Sequence, residues 1–277
     1  MIDGRTKIIA HIGYPTETFK SSMIYNPFFE HRKINASVVP MGCKSDDFAA
    51  FLRLVFKLSN VHGALITMPH KVTTLALVNE ASISARVAGA CNAVRLDESG
   101  AMIGDMFDGE GFVRGLTSKR RAVQGASAFV AGSGGVGSAI AGSLARAGAS
   151  RLGLYDAFPQ AMNELAERLK AHYPNLAVIA GSADPAGYDI VVNATPLGMK
   201  QDDPLPINVE RISPSAFVGE VVMKEEITPF LAAARAKGCD YQVGTDMLFE
   251  QIPAYLEFFG LGTATSDELR KLAQIHY

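Results

Sequence analysis

Ser127-Ala-Phe-Val-Ala131-Gly132-Ser133-Gly134-Gly135-Val136-Gly137 carries five small or apolar residues into a Gly-x-Gly-x-x-Gly loop, and the small-residue stretch 138–147 follows it. The order reads as strand, tight turn and helix. Alone the glycine pattern is common, but between a strand and a helix it has the context of a dinucleotide-binding turn. Gly132 makes the turn, Gly134 lets a pyrophosphate approach the backbone, and Gly137 lets helix and strand pack closely. The helix N-terminus then faces the phosphates. The bland alternative is a Gly-rich turn in an unrelated α/β domain.

Outward from the loop, 151–155 is the next strand and ends at Asp156, with a helix opening at Pro159 and running to about His172. An acid at the end of that strand accepts hydrogen bonds from an adenosine ribose, whereas a 2′-phosphate calls for a cation. Residues 157–161 contain no Arg or Lys. NAD is therefore expected, with NADP the second possibility. Otherwise Asp156 only caps the helix. Further strands fall at 177–180, 188–193, 216–222 and 241–243, with helices at 228–237, 246–259 and 266–275.

The N-terminal half alternates in the same way. Strands are expected at 7–13, 36–40 and 61–67, and a helix with Pro27 interrupting it at 20–32. A second helix, N-capped by Ser45, runs through Asn60. Short helices at 72–79 and 82–88 precede a β-hairpin, 92–96 with 101–103. Strands alternating with helices define an α/β chain with mostly parallel sheets.

The 277 residues suffice for two modest domains, with 48% hydrophobic and 19% charged residues. A net charge of −2 with scattered Lys and Arg gives no footprint for nucleic acid or an anionic membrane. Cys43, Cys91 and Cys239 fit neither a metal spacing nor a disulfide framework. With no signal-peptide pattern and no membrane span, a cytoplasmic protein is expected, as monomer or homodimer.

Six segments occur in order: Thr67-Met-Pro69-His-Lys71, Gly89-Ala-Cys-Asn92, Gly104-Asp-Met-Phe-Asp108-Gly-Glu-Gly111, Gly132-Ser-Gly134-Gly, Asn193-Ala-Thr195-Pro196-Leu-Gly-Met199 and Gly244-Thr-Asp-Met247-Leu-Phe-Glu-Gln251. The series covers essentially the whole chain and resembles the shikimate/quinate dehydrogenase family. The resemblance implies a substrate domain over 1–107, with 244–277 packing back onto it. A Rossmann domain over 108–243 would bind the nicotinamide cofactor. By position, Lys71 and Asp108 match the family's catalytic pair. Thr67, Asn92, Gln251 and Ser21 match residues around the substrate. Asn193, Thr195, Pro196, Met199, Val221, Gly244 and Met247 lie on the cofactor side. A lysine in such a pair can, as the neutral amine, take the alcohol's proton while hydride leaves for the cofactor, and the ammonium so formed steadies the developing alkoxide, with the carboxylate orienting it.

The chain departs from the family at the end of the substrate where, by the resemblance, two serines hold its carboxylate. The N-terminal signature is roughly Gly-x-Pro-x-x-His-Ser-x-Ser-Pro-x-x-His-Asn. Gly13, Pro15, Ser21 and Asn26 match it, but Phe19 replaces the first serine, Ser22 the proline, and Thr18 and Tyr25 the two histidines. Met106-Phe107 stands for Asn-Thr before Asp108, and Met223 for a tyrosine. A buried carboxylate that loses one charge-assisted hydrogen bond loses about 1.5–3 kcal/mol, or one to two decades of affinity. The expected ligand is accordingly a modified or less polar cyclic hydroxy acid. A non-catalytic ligand-binding or regulatory paralogue and a folate-type dehydrogenase are the competing classes. His70 is expected to face solvent, Cys91 to be an inert buried thiol, and the Phe-rich run 248–259 to be the buried face of a helix docked on the first domain.

Overall fold

The protein is described from a computed structural model, which covers residues 2–17, 19–200 and 202–275. Thr18 lies outside these. The chain forms two compact units. One comprises the chain up to Arg86, Ala90–Phe107 and everything from Ile252 onward; the other comprises Val87–Gly89 and Asp108–Gln251. Residues 244–251 thus belong to the second unit.

The first unit is built on β1 (Lys7–Gly13), α1 (Ser22–His31), β2 (Ala36–Gly42), α2 (Ser45–Val55), β3 (Val61–Ile66), α3 (Lys71–Leu77), β4 (Glu80–Ala81), α4 (Ile83–Ala88), β5 (Ala93–Leu96) and β6 (Met102–Asp105). Its sheet has the order β2-β1-β3-β5-β6-β4. The β1–β2 and β1–β3 pairs are parallel, and β5 and β6 form the expected antiparallel hairpin. Side chains alternate across β1. Ala10 and Ile12 join Phe48, Leu52 and Val55 of α2 in one core cluster, while Ile9, His11 and Gly13 point to the other face. Pro27 sits inside α1 without ending it. The α2 helix begins at Ser45 rather than being capped by it, with Lys44 in the cap position, and it stops at Val55. Asp46 and Asp47 fill its first turn, where the helix dipole favours acids.

The second unit follows as α5 (Asp108–Ser118), β7 (Ser127–Ala131), α6 (Gly135–Arg146), β8 (Arg151–Tyr155), α7 (Pro159–His172), β9 (Ala177–Ala180), β10 (Ile190–Asn193), β11 (Phe217–Glu220), α8 (Pro229–Ala236), β12 (Asp240–Gln242) and α9 (Gly244–Phe258). Six strands in the order β12-β11-β10-β7-β8-β9 pair in parallel throughout, which is a doubly wound sheet. The order reverses beside β7, so the crevice at the carboxyl ends of β7 and β10 is the ligand position for such sheets. Phe112, Leu116, Val130, Ile140, Leu144, Leu154 and Leu165 share one core. Burial of these strands on both faces explains why 128–131 and 190–192 read as unbroken apolar runs.

The carboxyl-terminal part of α9 and the final α10 (Ser266–Leu272) belong to the first unit. The ring of Phe259 lies where a side chain on Gly63 would have to go, and its carbonyl bonds His62 Nε2 at 2.6 Å. Thr265 caps α10 by accepting from the Glu268 amide at 3.2 Å. A bidentate Arg32–Glu268 pair, with bonds of 2.6 and 2.7 Å, ties that helix to α1.

Candidate active site

Gly13, Thr67 and Phe19 meet at the carboxyl ends of β1 and β3. Thr67 follows β3; its amide bonds the Ile12 carbonyl at 2.9 Å and its carbonyl accepts from the His70 amide. Gly13 is obligatory here: a β-carbon would stand 2.7 Å from the Met68 carbonyl oxygen and 2.8 Å from the Phe19 ring, and would collide with the Thr67 methyl. Phe19 is therefore packed against this corner, 9% exposed, with its ring stacked on His11 at 4.1 Å. Ser21 occupies the cap position of α1, half-buried, with its side chain making no cap bond.

Lys71 is half-buried and is the first residue of α3, a helix with no acid in its first turn. A cation at a helix N-terminus is opposed by the dipole, by roughly 0.3–1 kcal/mol, so local stability does not account for its placement. Its carbonyl accepts from the Cys91 amide at 2.9 Å. The charge of Lys71 reaches His11, whose imidazole is pushed down to about 4 by burial and by that charge.

Asn92 is buried and its Oδ1 accepts from the Phe107 amide at 3.0 Å. Phe107 is buried. Its ring packs edge-on against Tyr255 at 4.9 Å and Phe258 at 5.5 Å. His70 does not face solvent: it is 1% exposed, stacked 3.9 Å from Phe48, with Nε2 bonded to the Cys43 carbonyl at 2.8 Å. Cys91 is buried, and desolvation followed by the Asp105 charge pushes its thiol up to about 12, as fits an inert sulfur.

In the second unit, Asp108 opens α5 and is buried at that helix's N-terminus, a position that favours negative charge. Gln251 is buried, with Oε1 lacking a hydrogen-bond partner among the described residues. Its backbone amide would stand 3.0 Å from a β-carbon on Gly111, so that glycine lets α5 and α9 touch.

The glycine loop has the geometry its sequence implies. Gly132 has φ +102°, and a β-carbon there would stand 2.6 Å from the Ala194 carbonyl oxygen. A β-carbon on Gly137 would collide with the Gly132 carbonyl. Gly134 caps α6, is exposed, and has nothing within 4 Å of its would-be β-carbon. That open backbone at a helix N-terminus fits a dinucleotide pyrophosphate. Gly135 and Val136 form the first turn beside it.

Asp156 accepts from the Ser133 amide at 2.5 Å and from the Phe158 amide at 2.8 Å, so it braces the loop as well as the turn into α7. Each carboxylate oxygen retains a second acceptor site for a ribose hydroxyl. Asn193 is fully buried and its side chain is spent within the protein. Its Oδ1 takes the Thr195 amide and hydroxyl, and its Nδ2 bonds the Leu197 carbonyl and Glu220. It shapes the loop that carries Thr195, exposed Pro196 and half-exposed Met199. Val221 continues this rim through its amide bond to the Asn193 carbonyl at 3.2 Å. A β-carbon on Gly244 would collide with the Val222 carbonyl, and Met247 is buried in the core. Met223 is 41% exposed.

Two residues here escape sequence reasoning. His11 reads as part of a buried strand, although a histidine within Ile8-Ile9-Ala10-His11-Ile12 is itself a signal. Phe158, 76% exposed beside Asp156, stands out in the sequence only as not being a cation.

A doubly wound sheet carrying this glycine loop, joined to a second α/β unit, is the architecture of a two-domain dinucleotide-binding protein. Comparison with known proteins narrows the class. Residues 11–94 match the family model of the shikimate dehydrogenase substrate binding domain. A shikimate dehydrogenase (NADP(+)) of Rubrobacter xylanophilus is 35% identical over 254 residues, 90% of this chain and 89% of that protein. The structure of shikimate 5-dehydrogenase from Listeria monocytogenes, in complex with shikimate and NAD, superposes with a TM-score of 0.90 at 22% identity, covering 98% of this chain and 97% of that one. Quinate dehydrogenase from Corynebacterium glutamicum, in complex with NAD, gives 0.87 at 26% identity, covering 96% and 98%. The chain belongs to the shikimate dehydrogenase family. Among the described residues no helix is long and apolar enough to cross a membrane.

Proposed function

We propose that the protein oxidises a ring secondary alcohol of a shikimate- or quinate-like cyclic hydroxy acid, and that NAD is its preferred acceptor. A nicotinamide bound at the glycine loop would supply the hydride acceptor; the chain's own residues orient the ring and handle the proton. Lys71 takes the hydroxyl proton and steadies the developing alkoxide. Asp108, at a helix N-terminus suited to an anion, bonds the neighbouring hydroxyl. Thr67, Asn92 and Gln251 hold the remaining hydroxyls and Ser21 the substituent at the opposite end; the buried Oε1 of Gln251, without a partner among the described residues, supports its share of that task.

The observation that carries the cofactor preference is Asp156, a carboxylate fixed by the Ser133 amide and followed by Ala157 and exposed Phe158 rather than a cation. It would repel a 2′-phosphate. The domains are proposed to divide the labour at residue 107, with 108–243 binding the cofactor.

Lys71→Ala and Asp108→Ala should each lower kcat by about 10²–10⁴ while the Kd for NAD stays within about threefold. Either variant turning over at the wild-type rate would remove that residue from the mechanism. A regulatory paralogue would instead bind NAD and show no turnover in the wild type.

A further inference from the structure

We infer that His11 is a specificity-determining residue of the substrate site, which hydrogen-bonds an uncharged polar substituent of the ring at the end where the family pattern holds a carboxylate. This deepens the proposed function and rests on it.

His11 lies near the carboxyl end of β1, on the face it shares with Ile9 and Gly13. That face meets the corner formed by Gly13, Thr67 and Phe19, where ligands bind in open α/β sheets. The His11 ring stacks on Phe19 at 4.1 Å, and Lys71 is close enough for its charge to act on the imidazole. Every residue in this group belongs to the first unit.

His11 is 6% exposed, and its Nδ1 is buried with no hydrogen-bond partner among the described residues. An imidazole used only for packing would be expected to spend that capacity within the protein, as His70 does on the Cys43 carbonyl. A buried carboxylate needs several charge-assisted bonds. At this end Phe19 has removed one hydroxyl donor and Phe107 is turned into an aromatic cluster. A protonated imidazole could replace them, but burial and the neighbouring ammonium both oppose its protonation. The uncharged ring offers one hydrogen bond and a flat face, which suits a hydroxymethyl, ester or amide group.

The test compares shikimate with its methyl ester and its hydroxymethyl analogue, which differ only at the carboxylate. It uses wild-type enzyme, His11→Leu and His11→Gln. Wild type should show kcat/KM at least tenfold higher for an uncharged analogue than for shikimate. His11→Leu should lose tenfold or more of that advantage, through KM rather than kcat, with the KM for NAD unchanged. His11→Gln should restore part of it. Wild-type preference for the carboxylate, or an unchanged ratio in His11→Leu, would overturn the inference. Failure of every ring alcohol to react would instead remove the proposed function. The inference would then be read from the His11 imidazole ¹⁵N resonances on titrating wild type with the hydroxymethyl analogue: a shift supports it, and none overturns it.

Discussion

The burial of a histidine beside a lysine has a measurable cost. In the unfolded chain an imidazole titrates near 6.5, whereas folding pushes His11 down to about 4, through burial first and Lys71 second. The folded protein therefore resists a proton that the unfolded chain accepts. The contribution is fully present above pH 6.5 and is lost as pH falls through 4, up to about 3 kcal/mol in all. Urea unfolding at pH 7.5 and pH 4.5 should show a larger loss for wild type than for His11→Leu; equal losses would contradict this. Single residues are also where sequence is least informative. The type of His70 does not reveal that the fold would bury it between Phe48 and a carbonyl. Phe19 and Phe107 stand out only against the family pattern, and only the structure shows one stacked on an imidazole and the other within an aromatic cluster. Lys71 and Asp108 become candidates through the order of their flanking motifs, since neither residue type is unusual in itself.

Elements are legible where pattern and propensity agree. The strand–loop–helix at 127–146 announces itself through apolar residues followed by spaced glycines. Helix α5 does not. Its sequence Asp108-Gly-Glu-Gly-Phe-Val-Arg-Gly holds three glycines, each costing roughly 1 kcal/mol of helix propensity. Packing outweighs that cost. A β-carbon on Gly109 would collide with the Ala139 carbonyl, and one on Gly115 would stand 2.6 Å from Gln242, so the absent side chains are what let α5 lie against its neighbours. The cofactor loop permits a paired test of the same idea. Propensity alone makes Gly137→Ala stabilising. The collision with the Gly132 carbonyl instead predicts a loss of about 1–3 kcal/mol in urea unfolding. Gly134→Ala meets open space and ordinary backbone angles, so stability should hold while NAD affinity falls, because its methyl occupies the pyrophosphate's approach. Loss of stability in Gly134→Ala, or none in Gly137→Ala, would contradict the assigned roles.

The whole molecule combines a unit on a parallel doubly wound sheet with a unit on a mixed sheet, which the chain leaves after Phe107 and rejoins at Ile252 through helices. Its class is readable because alternating strands and helices dictate parallel sheets. The membership of its last helices is not dictated that way and rests on resemblance. In the proposed function Lys71 and Asp108 handle the reaction, and in the inference drawn from it Phe19 and His11 set recognition. The direct measurement of the central claim is steady-state kcat/KM for NAD and NADP reduction across cyclohexane and cyclohexene carboxylates and their uncharged derivatives. At least one ring alcohol should turn over, with NAD favoured over NADP by tenfold or more. Binding of NAD without turnover of any of them, or a preference for NADP, would contradict that claim.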